Sequence, residues 1–561
     1  MTLSLIALAY AAASSGIGWA IVFVAGGHVL SPAERRRYLT AWIVVTLSLF
    51  LIPIGGVFLI WAAVFPLFFV QAEEDRIPLF AFLLATAPAG AVEITELSIG
   101  INYLLNFTFA LVIGVVLLGP VAARHLGKPM RGAAGPDGFF IAFLVGLILM
   151  SVRAPTFTSF LRDVTVWILT AAIPYFAFSR GIRTSAQLRR VMAAAVACFC
   201  VVGIIGIVGS VVGWQIYDVA ERRLFESSGM MVLRRAGLMR SGGTLGTAPI
   251  AFGTMMMIGA CFVLAFARDA RAKWHGAALF AACCAGLLGS ISRGPMVGLV
   301  FGLVAYQLTR PKPAEALIKA GMLGFAALLP LVLFTDTGRA LLEFIPFVGT
   351  GDAGNVTYRQ DLARIGWQVG LQNPLFGDPD FLEAPEMQEL VTGLGIIDLV
   401  NTYLFWFLRY GAPMALLPII GIAVTLARLL SVSRKLPTDD PESAWLRDAG
   451  GALFAALAGF AITIATVSLG GTLPTVLWVM FGLSVAYLRV AAAHAAAPKP
   501  AEAPSPVADA APGPAPTPQP SPGPQPAWVP SVAPSGASLG AQSAADLDID
   551  AIVNARPVPG R

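Results

Sequence analysis

Long apolar runs almost free of charge recur along this chain up to about residue 495, and no other feature limits its fold so strongly. Runs of about 17–25 residues are long enough to cross a ~30 Å hydrocarbon layer. Inside that layer each segment must satisfy its own backbone hydrogen bonds, so the runs are helices. They fall at about 4–27, 39–52, 54–71, 78–99, 102–123, 138–153, 163–180, 190–213, 249–268, 275–291, 295–309, 316–335, 399–430, 447–467 and 472–491. The stretch 39–71 reads either as two short helices broken at Pro53-Ile54-Gly55-Gly56 or as one kinked helix. The fold class is all-α, a polytopic transmembrane helical bundle of about 12–15 spans. Only 12% of residues are charged, against about 25% in a soluble domain, which excludes an ordinary water-soluble fold.

Lysine and arginine set the orientation. Arg35-Arg36-Arg37, Arg124 to Arg131, Arg180 to Arg190, Arg268 to Lys273, Arg310 to Lys312 and Arg428 to Lys435 mark one side, which the positive-inside rule makes cytoplasmic. The net charge of +5 therefore belongs to topology and not to nucleic acid. The first span lacks a basic leader and reads as a retained helix. All five cysteines fall in apolar spans, so neither a disulfide framework nor a metal site is expected.

Four regions follow: 1–335, N-terminal transmembrane helices; 336–398, a large loop on the outer side; 399–495, C-terminal transmembrane helices; and 496–561, a cytoplasmic tail. The large loop holds ten acids, three arginines and no lysine. Its apolar residues argue for a folded cap, with a helix at 357–372 stopped by Asn373-Pro374. The tail is rich in Pro and Ala and cannot bury enough apolar surface to order itself. Its final stretch, DLDIDAIVNARPVPGR, is either an inert end or a short docking motif for other proteins.

Ionisable residues next to a bilayer point to function. Arg240 opens RSGGTLGTAPIAFG, Arg293 sits in SISRGPMVGL between two spans, and Arg359 sits in NVTYRQDLARIGW of the large loop. All three are expected on the outer side. A guanidinium fork grips phosphate oxygens bidentately and keeps its charge, so three converging arginines would make a diphosphate clamp. The alternative is that each snorkels to lipid headgroups. Glu93 and Glu96 read as the end of an early helix, and Gly298 with Gly302 as a helix-packing pair.

In order, RSGG before a span, SRGP between two spans, Arg359 separated from PLFG by fourteen residues, and NTYL…YG entering the next span resemble the O-antigen ligase and O-antigen polymerase superfamily over about residues 230–430. The resemblance implies transfer of glycan from undecaprenyl diphosphate on the periplasmic side of the cell inner membrane, with other polysaccharide assembly proteins as the candidate partners of the tail. It implies a multi-pass, metal-independent, inverting glycosyltransferase with no cofactor and no nucleic-acid partner, in which Arg240, Arg293 and Arg359 hold the carrier's diphosphate. Ligases of the family carry His-Asn before the Tyr-Leu step, but here Val400 stands where the histidine would be, and Arg409 replaces the family's acid near YG. The four histidines, His28, His125, His275 and His494, all fall on the cytoplasmic side. The nearest candidate base is then Asp398, with Asp361, Asp378, Asp380 and Glu383 as further possibilities. Each of these acids also reads as an ordinary solvated carboxylate. Arg364, Asn401, Tyr403 and Asp361 are candidates for acceptor contact or support.

The missing histidine weighs most against a ligase, so polymerisation of lipid-linked repeat units is the leading expectation. Two other classes are a lipid-linked glycan flippase and a non-catalytic scaffold. A flippase would commonly show repeated halves, and none is visible.

Overall fold

The computed structural model describes residues 2–93, 105–127, 132–225, 234–235, 238–246, 248–315, 317–319, 321–322, 353–392, 395–496 and 523. The chain forms two units, 1–497 and 498–561. Of the second, only Gly523 is described, so the tail and its terminal motif lie outside the described residues, as do Glu96 and most of the stretch 316–335.

The described chain is helical apart from two short antiparallel pairs, Ala91–Glu93 with Asn106–Thr108 and Arg234–Arg235 with Leu238–Met239. Among the described residues, eight helices are long and apolar enough to cross a membrane: Leu3–His28, Ala134–Arg153, Phe157–Gly181, Ser185–Val212, Pro249–Phe266, Ala412–Lys435, Pro441–Ile464 and Leu473–Ala496. Gly55–Phe69 and Phe109–His125 are shorter apolar helices. Lys273–Ser290 and Arg293–Leu308 fill the expected stretches at 275–291 and 295–309.

The element boundaries follow local chemistry. Ser31 and Glu34 form a reciprocal capping box at the start of Pro32–Leu51, and the chain then breaks at Ile52–Ile54, so 39–71 is two elements. The stretch 78–99 is not one helix. Arg76–Leu83 ends ahead of Pro88 and Gly90, and the chain enters the strand Ala91–Glu93, because Pro88 disfavours helical backbone at Ala87. The stretch 399–430 is likewise divided at Gly411 into Thr402–Tyr410 and Ala412–Lys435.

Ser185–Val212 is the central column, packed against Lys273–Ser290 and Thr2–Ala25. Arg293–Leu308 lies along Pro441–Ile464. There a Cβ on Gly298 would stand 2.6 Å from the carbonyl of Gly459, and one on Gly302 2.8 Å from that of Ala455. This is the close approach expected of the small-residue pair. All five cysteines are free, and the Cys200 and Cys283 sulfurs are 3.9 Å apart.

At the end bearing the basic clusters, arginines meet carboxylates. Asp75 takes Arg37 at 3.0 Å and Arg190 at 2.5 Å. Asp137 receives both terminal nitrogens of Arg180, at 2.6 and 2.9 Å, and the Tyr175 hydroxyl at 2.5 Å. Asp448 takes Arg268 at 2.5 Å and Arg310 at 3.2 Å. The histidines belong to this end too. His28 and His275 have ring centroids 6.2 Å apart, His125 meets Glu73 at 3.1 Å, and His494 meets the Ser443 hydroxyl at 2.7 Å.

Candidate functional site

The opposite end is organised by the turn Ser290-Ile291-Ser292-Arg293. Lys273–Ser290 ends there and Arg293–Leu308 begins. To reverse direction in so few residues, Ile291 adopts φ +48°, the one positive φ at a non-glycine position among the described residues. A β-branched side chain in that region is strained, and such strain clusters at functional sites. Ser292 is buried and its hydroxyl donates to the carbonyls of Pro249 and Ser290 at 3.2 and 3.1 Å.

The RSGG segment docks on this turn. Ser241 N–H donates to the Gly289 carbonyl at 2.9 Å, and Arg240 Nη2 donates to Ser292 Oγ at 3.2 Å. Arg240 is thereby brought beside the residue that precedes Arg293. Both are half-buried, and among the described residues the Nε of Arg240 is sealed from solvent without a hydrogen-bond acceptor. Burial, and then the positive charge of Arg235, lowers the pKa of Arg240 below that of an ordinary guanidinium. Cationic groups gathered and partly desolvated in this way favour an anion that accepts from several donors.

Pro441–Ile464 ties this turn to the NTYL segment. A Cβ on Gly294 would stand 2.6 Å from Thr466 Oγ1. Thr402 Oγ1 donates to the Val467 carbonyl at 2.7 Å, and Tyr403 donates its hydroxyl proton to the Ala461 carbonyl at 3.0 Å. Asn401 Oδ1 accepts from the N–H groups of Tyr403 and Leu404 at 3.0 and 3.1 Å. Asn401 is thus the N-cap of Thr402–Tyr410, and Tyr403 is an anchor to the neighbouring helix.

The cap helix, Ala353–Gln372, stops where Asn373-Pro374 requires. Leu362, Ile365 and Val369 form a small core with Phe381, Met387, Leu390, Leu399 and Leu408. Tyr358 pins the chain at Asp398: its hydroxyl accepts from Asp398 N–H at 2.9 Å and donates to the Asp398 carbonyl at 3.1 Å. The Asp398 side chain is left exposed. Arg359 and Arg364 are also exposed, and Arg364 meets Asp361 at 3.8 Å. Asp378 Oδ1 caps its own turn by accepting from Asp380 N–H at 2.9 Å.

The PLFG and YG motifs fasten to each other. Ala412 N–H donates to the Pro374 carbonyl at 2.7 Å, and Asp378 N–H to the Leu408 carbonyl at 2.8 Å. Gly377 and Gly411 have φ of +65° and +83°, and a Cβ on Gly411 would collide with the Leu375 backbone. Arg153, at the end of Ala134–Arg153, locks this joint by donating to the carbonyls of Phe376 at 2.7 Å and Arg409 at 2.8 Å. Arg409 itself donates to the Pro379 carbonyl at 3.2 Å.

Residues 277–419 match the O-antigen ligase family model. The match takes in the Arg293 turn, the cap helix and the NTYL entry; Arg240 lies outside it. No curated protein matches the chain. Together with the apolar helices, the O-antigen ligase match supports a multi-pass membrane enzyme acting on lipid-linked glycan.

Sequence reasoning passed over two groups near this match. Arg153 ends an apolar run and was open to the same rule that singled out Arg293. Glu221 is 3% exposed on Asp218–Phe225, with its carboxylate against Gly246 of the RSGG loop. Only the fold brings it there.

Proposed function

We propose that this chain is a periplasm-facing, metal-independent, inverting glycosyltransferase of the cell inner membrane. It polymerises undecaprenyl-diphosphate-linked repeat units of an exopolysaccharide or O-antigen. The observation that carries this reading is the contact of Arg240 with Ser292 beside Arg293, on a strained turn, with arginine donors partly desolvated. Such donors stabilise the charge that gathers on a departing diphosphate. Arg359 and Arg364 stand on the cap, where they would meet the carrier or the glycan from the water side. Asp398 is the base for the acceptor hydroxyl. Its exposed carboxylate on a backbone pinned by Tyr358 supports that role, and Asp361 supports it from the cap.

A second reading, transfer of finished glycan to a lipid acceptor, is favoured by the description of the matching family. Deleting the gene and resolving cellular glycan on gels tests both. Accumulated single repeat units on the carrier would support the polymerase, free lipid-linked polymer would support the ligase, and unchanged glycan would refute both.

A further inference from the structure

Beyond the arginine turn, the same end of the bundle contains a cavity of about 310 Å³, at the lower end of the range for small-molecule sites, about 300–1,000 Å³. Its walls come from Phe109–His125, Phe157–Gly181 and the loop that opens Leu473–Ala496. The first two of these helices reach the basic end at Arg124 and Arg180, so residues near their starts lie at the outer end. The polar lining is Asn106, Thr108, Arg162, Thr170, Thr472 and Thr475.

Two independent features mark the cavity as built. Thr472 and Thr475 are 7% and 9% exposed, and among the described residues neither hydroxyl has a protein partner. Neither oxygen is among the atoms sealed from solvent in the described residues, so both hydroxyls open onto the cavity and can hydrogen-bond what enters it. In addition, both helical walls leave α pitch beside the cavity. Gly114–Leu118 and Ile168–Ala172 are π turns that pack against each other, and π turns inside α-helices occur frequently at functional sites.

The geometry points to a sugar-binding subsite here, separate from the arginine turn, that takes one end of the acceptor glycan. The lining mixes hydroxyls, an amide and a guanidinium with Leu105, Ala110 and Val166, which suits a sugar ring with its polar rim and apolar faces. Arg162 Nη2 also donates to Ser159 Oγ at 3.3 Å, which fixes one edge of its fork. The loop 465–472 links this subsite to the arginine turn, with Thr466 against Gly294 at one end and Thr472 in the cavity at the other. A glycan could thus be held at one end while the lipid diphosphate is held at the other. The assignment of the sugar to an acceptor rests on the transferase reading above.

The test uses the full-length protein in lipid nanodiscs with two probes. One is the repeat-unit oligosaccharide freed of its diphosphate by mild acid from the cells' own lipid-linked pool. The other is inorganic pyrophosphate. Saturable oligosaccharide binding is expected in the native protein. It should weaken about tenfold or more in the shape-preserving double variant Thr472→Val/Thr475→Val, since each lost hydrogen bond is worth about 0.5–1.5 kcal/mol. It should vanish in Ala89→Phe, which fills the space. Arg240→Ala should leave oligosaccharide affinity unchanged while pyrophosphate binding is lost. Oligosaccharide that fails to saturate, or that binds the threonine double variant as well as the native protein, would mean that the cavity holds only water and would overturn the assignment. Native protein that binds oligosaccharide but not pyrophosphate would overturn the diphosphate reading of the arginines and leave the sugar subsite standing.

Discussion

Two sets of arginines, one near each end of the bundle, are partnered in opposite ways. At the basic end, Arg37, Arg190, Arg180, Arg268 and Arg310 are matched by carboxylates of the protein itself. At the opposite end, the half-buried Arg240, Arg153 and Arg409 donate to a hydroxyl or to carbonyls, which leave their charge in place. The first arrangement is complete without a ligand and holds helices together. The second retains net positive potential in a partly desolvated place, which an anion relieves. Arginine position relative to the bilayer is therefore less informative than what each arginine faces.

Breaking one member of each set should separate the two roles. The largest effect is expected from Asp137→Ala, which strips Arg180 of its buried partner. A loss of about 3–5 kcal/mol should show as a lower unfolding temperature in detergent. Arg240→Ala should instead leave that temperature nearly unchanged and lower glycan transfer by about 10²–10³-fold, as removing one preorganised donor does. If Arg240→Ala destabilises the fold as Asp137→Ala does, the contrast between the ends fails. Gly411→Ala should cost about 1–3 kcal/mol through backbone strain, and more if the clash with the Leu375 backbone is not relieved, with activity falling in step with folded protein.

The smallest effect concerns pH. Burial of Asp75 opposes its charge, yet hydrogen bonds from Arg37 and Arg190 outweigh it and hold the carboxyl well below the usual carboxylate range. A depressed folded pKa stabilises fully above the unfolded value of about 3.9 and loses that contribution as pH falls further. Unfolding temperature should therefore decline below about pH 4, and Asp75→Asn should flatten part of that decline.

Much of the bundle was legible because hydropathy and charge act over whole segments. The break at Pro53 and the stop after Gln372 were readable because proline restricts the residue before it. The division at Gly411 was not, since one glycine barely alters the apolarity of a long run. Arg240, Arg293 and Arg359 drew notice because an ionisable group beside a bilayer points to function, whereas the Ser292 hydroxyl that receives Arg240 at the turn had no signature in the sequence. Asn401 and Tyr403 drew notice by belonging to a motif, and the fold explains both by capping and docking. The cavity at Thr472 and Thr475 had no signature, because its polar lining comes from three distant segments.

Arg153 carries a last consequence. One guanidinium joins an early span to carbonyls more than two hundred positions downstream. A genetic screen scoring only lost glycan transfer would therefore rank Arg153 with the groups that handle substrate. Its defect would be one of assembly, visible as a cap open to protease while the contact of Arg240 with the turn stays in place.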